Sequence, residues 1–422
     1  MRLHRRFGLV SMVGVVITTC AVAIATPTVA DAQGCGGSTG SAGTGSGTGS
    51  AGSGSAGSGS AGSGSAGSGS AGSGSAGSGA GAVNPIPWLN GRDGHLPNLQ
   101  GRTQAISHLT GPLSPNDTVR RFGVLGTDLG IMWDNGKGQV LTAFGDTFGL
   151  TINPFCGFVG DWRSNVLLRS GDRNLSDGMG FDSAALDRPN HAKEIIPSQK
   201  IAGVEITVIP TSGIAVGDTQ YINFMSVRSW GAPGHWVTNF AGVAYSTDNG
   251  ENWTVDPTTL RPNLPGGFDN FQMASYLQHG DGWLYQFGTP PGRSGDARLA
   301  RVRPEAVRNT AAYEYWNGTG WTPTNPGAAA SVIPGPVSEL SVQWNDHLGA
   351  FVSMYTDGSN SIVMRKAPNP WGPWGAPDVL VSSRDVPELY GAYIHPWSSG
   401  SDLYFLATTW SDYNVMLMRT TL

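Results

Sequence analysis

The sequence has little charge, and its small excess is negative. Charged residues make up 13% of the 422 residues, and the formal net charge is −5 at pH 7. Nucleic acids and anionic membrane surfaces attract proteins through dense patches of lysine and arginine, and lysine is scarce here. The composition therefore argues against nucleic acid as a partner and favours neutral ligands.

Cysteine is almost absent, and no cluster of metal-binding type is present. Of the three cysteines, Cys20 lies in the N-terminal apolar run, which leaves Cys35 and Cys156. These two either form a disulfide or remain free thiols, since their sequence contexts differ widely. Because no His-Glu-x-x-His run or Cys/His cluster occurs, we predict no metal and no cofactor.

Long helical periodicity is also lacking. Short β-type runs such as "TQYINFMSVRSW" and "SDLYFLATTW" recur instead, separated by Gly, Pro, Asn and Asp. The fold class that this pattern predicts is all-β. Strand pairs that return over some 340 residues suit a five-bladed β-propeller with four strands per blade, and we expect a monomer.

The N-terminal part of the sequence predicts an export signal followed by a flexible tether. Residues 1–32 are predicted to be a signal peptide, with Arg2, Arg5 and Arg6 before an apolar run and Ala30-Asp31-Ala32 as a cleavage site. An uncleaved anchor is the alternative, and it is the one arrangement that would bring membrane contact. Residues 33–82 are predicted to be a low-complexity flexible Gly/Ser/Ala linker. A secreted or envelope-associated catalytic domain would then span 83–422.

One motif supports a propeller in particular. The stretch "STDNGENW", Ser246–Trp253, matches the Ser-x-Asp-x-Gly-x-x-Trp pattern called an Asp-box. In this pattern Asp and Gly shape a tight hairpin turn and Trp packs beneath it. Such turns usually lie away from an active face, so we predict a structural role for Asp248.

The stretch "GTDLGIMWDNGKGQVLTAFGDTFG", Gly126–Gly149, combines a hairpin with two carboxylates. Its Asn-Gly turn predicts a fold-back about Gly136, which would bring Asp128 and Asp146 to the same edge of a blade. Two carboxyl groups held close together are what glycoside hydrolysis requires, one protonated as acid and one ionised as nucleophile or base. The alternative is that both aspartates only satisfy backbone donors at turns and strand ends.

Further site candidates occupy similar positions beside strands. "DWRSN" offers Trp162 to stack on a sugar, and Arg163 and Asn165 to bind hydroxyl groups or orient a carboxylate. A structural ion pair is the alternative for the arginine. Asp218 and Glu339 are predicted at strand starts, where either could supply a third carboxylate or a simple turn hydrogen bond. His395 is a candidate hydroxyl donor, or a structural histidine.

Three stretches together resemble one enzyme family. These are "GVLGTDLGIMWDNGKGQVLTAFGDTFG", "GDWRSNVLLRS" and "GPVSELSVQWNDHLGAFVSMY". They resemble glycoside hydrolase family 183, the actinobacterial endo-D-arabinanases. The resemblance implies a five-bladed propeller that cuts α-1,5-linked D-arabinofuranan inside mycobacterial arabinogalactan and lipoarabinomannan. It also implies that the acidic pair of that family corresponds to Asp128 and Asp146.

Two other functions compete with this one. A carbohydrate-binding propeller without chemistry would keep the pocket and bind sugar independently of Asp146. A sialidase-like enzyme, suggested by the Asp-box, would need three arginines on one carboxylate and a tyrosine nucleophile beside a glutamate, which the sequence does not single out. The endo-acting glycosidase remains the leading interpretation of the three. The resemblance therefore makes the cell-wall polysaccharide D-arabinan the expected substrate and partner.

Overall fold

The computed structural model describes residues 95–153 and 157–422. The predicted signal peptide, the linker, Cys35 and Cys156 lie outside these residues. Within them, five sheets of four or more strands and two two-stranded hairpins account for the strands. The single α-helix of this part, α1, is one short turn at Thr118–Phe122.

The sheets are consecutive along the chain, and we number them as blades 1 to 5. Blade 1 has the strand order β2-β3-β6-β7, and blade 2 has β10-β11-β12-β13. Two hairpins, β4–β5 and β8–β9, accompany blade 1. The bounds are β1 Thr103–His108, β2 Leu129–Asp134, β3 Val140–Phe144, β4 Thr147–Asn153, β5 Gly157–Arg163, β6 Val166–Ser170, β7 Ser183–Ala184, β8 Leu186–Arg188, β9 His191–Ala192, β10 Thr207–Val216, β11 Thr219–Trp230, β12 Trp236–Ser246 and β13 Thr254–Pro262.

Blades 3 and 4 follow the same pattern, and blade 5 joins both ends of the described chain. Blade 3 has the order β14-β15-β16-β17-β18, with β19 also paired to β16, and blade 4 has β20-β21-β22-β23. The bounds are β14 Met273–Gln278, β15 Leu284–Thr289, β16 Ala297–Val302, β17 Glu314–Trp316, β18 Trp321–Pro323, β19 Ser331–Ile333, β20 Ser341–Asn345, β21 Ala350–Thr356, β22 Ile362–Ala367, β23 Asp378–Val381, β24 Leu389–Ile394, β25 Asp402–Thr409 and β26 Asn414–Thr421; short 3-10 helices occupy Phe268–Phe271, Pro304–Ala306, Thr310–Ala312 and Pro326–Ala328.

The blades close into a ring. The innermost strands contact one another in the cyclic order β2, β10, β14, β20, β24 and back to β2. Blade 5 is completed by β1, which pairs antiparallel with β26, with Thr103 opposite Thr420. Joining the first and last strands in one sheet leaves no gap in the ring. The predicted all-β, five-bladed propeller is confirmed.

Aromatic side chains fill the seam between blades 1 and 2. The Trp133 indole from β2 lies directly on Gly213 of β10, where any Cβ would overlap the ring. Its N–H donates to the Gln220 side chain at 2.8 Å. The glycine thus allows the close approach of two inner strands, and the hydrogen bond satisfies the buried indole donor.

The hairpin predicted about Gly136 is confirmed. Strands β2 and β3 pair antiparallel, with Asp134 opposite Val140 and Leu129 opposite Phe144. The Asn135 side chain accepts hydrogen bonds from the backbone N–H groups of Lys137 and Gln139, at 2.8 and 3.0 Å. Gly136 adopts a left-handed φ of 72°. The turn chemistry of the Asp-Asn-Gly sequence therefore sets the register of this blade.

The five inner strands start at one end of the ring, which we call the start face, and finish at the other, the far face. The Asp-box turn lies between β12 and β13 on the far face, because β12 begins on the start face. There the Ser246 hydroxyl donates to Asp248 at 2.7 Å, and the Trp253 indole donates to the Gly250 carbonyl at 3.0 Å. These contacts are those expected of a structural turn.

Candidate active site

The two hairpin aspartates meet on the start face. Asp128 directly precedes β2, and Asp146 lies between β3 and β4. The Gly145 N–H donates to the Asp128 carbonyl at 3.1 Å, which ties the two chain segments together. Leu129, the next residue, adopts a left-handed φ of 65°, a conformation that costs about 1–3 kcal/mol for a non-glycine residue. Backbone strain of this kind concentrates at functional sites.

Asp146 is held by two donors on the same oxygen. Its Oδ1 accepts hydrogen bonds from the Thr207 hydroxyl at 2.5 Å and from the Trp162 indole at 3.1 Å. Only 1% of the residue is exposed, and Oδ2 has no hydrogen-bond partner in the described part of the chain. Asp146 is thus rigidly oriented, with one buried oxygen left for a ligand.

Asp128 repeats this arrangement. Its Oδ2 accepts a hydrogen bond from the Tyr390 hydroxyl at 3.1 Å, while Oδ1 is buried and has no partner among the described residues. Oδ1 lies so close to Gly145 that a Cβ there would overlap it. A buried acceptor without a partner costs about 1–3 kcal/mol. Two such oxygens, on carboxyl groups close enough for one charge to act on the other, indicate a functional site rather than a stabilising contact.

Burial raises the pKa of both carboxyl groups. The pKa of Asp146 rises to about 7, because desolvation outweighs the hydrogen bonds from Thr207 and Trp162 that favour the ionised form. The pKa of Asp128 is raised well above its usual value by burial and then by the nearby Asp146 charge, opposed by the Tyr390 hydrogen bond. Asp146 has two donors where Asp128 has one. Because the Asp146 charge raises the pKa of Asp128, ionisation of Asp146 favours a proton on Asp128.

A third carboxylate stands beside the pair, already paired itself. Glu339, just before β20, forms a two-pronged salt bridge with Arg293, with Nη2–Oε1 at 2.7 Å and Nε–Oε2 at 3.1 Å. The side chains are 11% and 15% exposed. The Glu339 charge raises the pKa of Asp128 and the Arg293 charge lowers it. This ion pair thus lies close enough to Asp128 to influence its proton.

Aromatic rings enclose the arginine. The Arg293 guanidinium carbon lies 5.0 Å from the ring centre of Tyr390, 5.6 Å from that of Trp236 and 5.9 Å from that of Trp410. Tyr390 and Trp410 stack at 4.4 Å with an interplanar angle of 15°. Burial, and after it the Asp128 charge, raises the pKa of Tyr390 well above its usual value. Tyr390 consequently stays a neutral donor to Asp128.

A second ion pair lies near Asp146. The Lys200 ammonium is 3.2 Å from Glu194 Oε1, lies 5.0 Å from the Trp162 ring centre and donates to the Trp162 carbonyl at 3.0 Å. The Lys200 charge lowers the pKa of Asp146, and the Glu194 charge raises it. Each aspartate therefore has its own neighbouring pair of opposite charges.

A small cavity of about 10 Å³ lies beside Glu339, lined by Thr211, Ser275, Leu340 and neighbouring side chains of β14 and β15. That volume holds about one water molecule.

Two of the predicted binding residues have structural roles instead. Arg163 donates to the carbonyl oxygens of Ala192 at 2.6 Å and Gly123 at 2.5 Å, so neither sugar binding nor an ion pair describes it. The Asn165 amide donates to the carbonyls of Ile196 and Val208, both at 2.8 Å. Both side chains are buried because they join blade 1 to the segment that leads into blade 2.

Two others lie on the wrong face. Asp218 directly precedes a strand, as predicted, but that strand is β11, which begins on the far face, and the residue is ion-paired with Lys137 at 2.8 Å. His395 follows the last residue of β24 and is fully buried. The ten residues of β10 separate Asp218 from the start face by roughly 30 Å, and the six of β24 separate His395 from it by roughly 20 Å. Both are therefore remote from Asp128 and Asp146, whereas Trp162 donates a hydrogen bond to Asp146 and the Glu339 charge acts on Asp128.

Sequence reasoning missed Thr207, Arg293, Tyr390 and Trp410. Thr207 opens β10 and Tyr390 is the second residue of β24, while Arg293 and Trp410 lie in loops that follow β15 and β25. For Thr207 and Tyr390 the sequence offered one signal, their position at the start of a strand. Every inner strand begins on the face that carries Asp128. The two loop residues carry no such signal, since their contacts depend on how neighbouring blades pack.

The described residues show neither a metal-binding cluster nor a membrane-spanning helix. Among the described residues, no group of three or more His, Cys, Asp or Glu side chains is arranged to hold a metal ion. No helix in this part of the chain has the length and apolarity needed to cross a membrane.

Comparison with known proteins gives a family match and a fold match. A family model described as "Domain of unknown function (DUF4185)" matches residues 113–419. "Notoamide biosynthesis cluster protein J" of Aspergillus sp. (strain MF297-2) is 34% identical over 316 residues, which cover 70% of this chain and 82% of that protein. The crystal structure of a putative hydrolase from Bacteroides ovatus ATCC 8483 superposes with a TM-score of 0.51 at 14% identity, over 72% of this chain and 87% of that one. At this identity the likeness concerns the fold alone.

Proposed function

The chain belongs to the DUF4185 family, and from its site we propose that it is a glycoside hydrolase whose acid–base pair is Asp128 and Asp146. The observation that carries this proposal is the pair of buried carboxyl groups, each with one oxygen hydrogen-bonded and one oxygen without a partner. Their raised pKa values suit an acid and a base that work near neutral pH.

The two groups take different roles in the proposed reaction. Asp128, whose pKa is raised by burial and by the Asp146 charge, acts as the acid and donates its proton to the glycosidic oxygen as the C1–O bond breaks. Asp146 is ionised, and either removes a proton from the attacking water or attacks C1 itself to give an ester that water then hydrolyses. In both routes a C1–O bond to the leaving sugar is replaced by a C1–O bond from water. The routes differ in the anomer of the first product.

Neighbouring groups support these roles. Tyr390 holds one oxygen of Asp128, so the other carries the proton toward the ligand. Thr207 and Trp162 hold Asp146 Oδ1 and leave Oδ2 to face the substrate. The Trp162 ring, already capped by Lys200, forms part of the wall beside the nucleophile or base.

For the substrate we propose internal α-1,5 linkages of D-arabinofuranan. The resemblance of the hairpin and of the Glu339 segment to the endo-D-arabinanase family supports this assignment. The predicted export signal and tether agree with a polymer outside the cytoplasmic membrane, so we propose a secreted or envelope-associated enzyme. The fungal relative, in contrast, is named for a notoamide biosynthesis cluster, so substrates of other chemistry belong in the test.

A binding propeller without chemistry is the second candidate. The depth of the pair favours it, since only 7% of Asp128 and 1% of Asp146 are exposed. Such a protein would bind arabinan and release nothing.

A panel of polymers tests the proposal. The full chain is incubated with mycobacterial arabinogalactan, with linear α-1,5-L-arabinan and with an arabinan-free galactan, and the products are separated by chromatography. We expect short arabinose oligosaccharides from the first polymer only, in several sizes from the earliest time point, as internal cleavage requires. Binding without release would support the second candidate, and cleavage of L-arabinan alone would contradict the proposed substrate.

A further inference from the structure

Partly exposed tryptophans gather on the outer strands of blade 3 and beside blade 4. Trp316 ends β17 and Trp321 begins β18, the two outermost strands of blade 3, and they face each other across a hairpin. Trp371 follows β22 of the adjacent blade 4. We call these three residues the tryptophan platform.

The platform has the geometry of a continuous aromatic surface. Trp316 and Trp371 stack with ring centres 5.5 Å apart and planes at 26°. Trp321 stands edge-on to both, at 5.4 Å from Trp316 and 6.2 Å from Trp371. All three are partly exposed, and their inner sides pack against the hydrophobic cluster that blades 3 and 4 share. Contiguous exposed aromatic surface of this kind usually marks a binding site.

The indole N–H groups of the platform are unused. Two other partly exposed tryptophans of blade 4 donate within the protein, Trp344 to Asp346 at 3.0 Å and Trp374 to the Pro370 carbonyl at 3.2 Å. Within the described residues, Trp316, Trp321 and Trp371 donate to no protein acceptor, and their N–H groups are not buried. Three ring systems with free donors at their edges suit a ligand with apolar faces and many oxygen acceptors.

The surrounding charge favours a neutral ligand. Arg301, which covers the Trp321 ring at 4.1 Å, is paired with Glu314 at 2.7 Å. The arginine in contact with the platform is thus already paired with a carboxylate. Sugar rings present C–H faces for stacking and hydroxyl oxygens for N–H donors, and they carry no charge.

From these observations we propose that the tryptophan platform is a second carbohydrate-binding site, which holds a neutral polysaccharide chain away from the carboxyl pair. The proposal does not require that the chain cleaves glycosides. A wall polymer bound at the outer edge would raise the local concentration of its own linkages at the start face.

Affinity electrophoresis of the full chain tests the platform. Gels contain arabinogalactan, galactan or no polymer, and every protein carries Asp146→Asn so that the polymer stays intact. The double variant Trp316→Ala/Trp371→Ala is expected to lose about 10-fold in affinity, equivalent to about 1.4 kcal/mol. The control is Trp397→Ala, a partly exposed tryptophan of blade 5 whose N–H already donates to Asp134 at 2.6 Å.

The outcomes separate this proposal from the proposed enzyme function. Retardation by either polymer that is lost in the double variant and kept in the control supports the platform, even if the native chain cuts no arabinan. Equal retardation of the double variant and the control, or no retardation of any protein, overturns it, even if the native chain cuts arabinan efficiently.

A second measurement uses the chain with an unmutated platform, so its result does not depend on whether the tryptophan variants fold. Circular dichroism compares the folds, and carbene footprinting of the Asp146→Asn chain with and without polymer reports on Trp316, Trp321 and Trp371 directly. Reduced labelling of these residues with polymer supports the proposal. Unchanged labelling of all three under conditions that retard the protein contradicts it.

Discussion

Asp146→Asn and Asp128→Asn are each expected to lower kcat on arabinan by about 1,000-fold, while the protein stays folded. A positioned acid or base typically contributes about 10²–10⁴-fold to a rate. An amide keeps the shape and the hydrogen bonds of each site but can neither release nor accept the required proton. Initial rates of reducing-end release from arabinogalactan measure the loss.

The same substitutions are expected to raise thermal stability at alkaline pH. The folded-state pKa of each carboxyl group lies above its unfolded value, so the stability it contributes is complete below about pH 4. For Asp146 that contribution is lost as pH rises through about 7, because the ionised form is then forced into a buried site. The Asn variants escape this loss, so their Tm should exceed that of the native chain at pH 8.

These readouts separate a catalytic pair from structural aspartates. If Asp128 and Asp146 merely capped strand ends, their replacement would lower Tm at every pH and leave the rate of any folded fraction unchanged. Asp218→Asn is the matched control, since Asp218 is exposed on the far face beside Lys137. It should change neither the rate nor the pH dependence of Tm.

Breaking the Arg293–Glu339 pair is expected to have the second largest effect. Glu339→Gln leaves a guanidinium enclosed by Tyr390, Trp236 and Trp410 without its counter-charge. Removing one partner of a buried ion pair typically costs about 3–5 kcal/mol. We expect Glu339→Gln and Arg293→Met each to lower the free energy of unfolding by about that amount. The double variant should regain most of it, because no unpaired charge remains.

The two single variants should move the activity profile in opposite directions. The Glu339 charge raises the pKa of Asp128, so Glu339→Gln lets Asp128 lose its proton at lower pH and shifts the alkaline limb toward acid. Arg293→Met removes a charge that lowers this pKa and shifts the limb the other way. Urea denaturation of the four proteins gives the coupling energy. Single variants within about 0.5 kcal/mol of the native chain would show that the pair is not part of the site's framework.

The fold was predictable from the sequence to an unusual depth because its signals are local. The Asp-Asn-Gly turn at 134–136 sets the first hairpin, and the Asp-box does the same between β12 and β13. Both depend on side chains that bond to backbone a few residues away. Five blades then follow from the number of strand pairs, and ring closure is decided by β1, which pairs with a strand more than 300 residues further along.

Site residues were predictable from the sequence only where their contacts depend on residues close to them in the chain. Asp128 and Asp146 are joined by one hairpin, so their meeting follows from its register. Tyr390 reaches Asp128 across 262 residues, and Arg293 reaches Glu339 through a loop, so no local pattern announces either contact. Asp218 and Glu339 looked alike in sequence. The structure places them on opposite faces, because Asp218 follows the inner strand β10 and Glu339 precedes the inner strand β20.

The central claim is that Asp128 and Asp146 work as a pair with one proton between them. Its most direct test is the pH dependence of kcat/KM for the native chain on a soluble arabinan fragment. The account predicts a bell, with a rising limb near pH 7 as Asp146 ionises and a falling limb at higher pH as Asp128 loses its proton. A rate that is greatest near pH 4–5 and falls through pH 7, or one that is flat from pH 5 to 9, would contradict it.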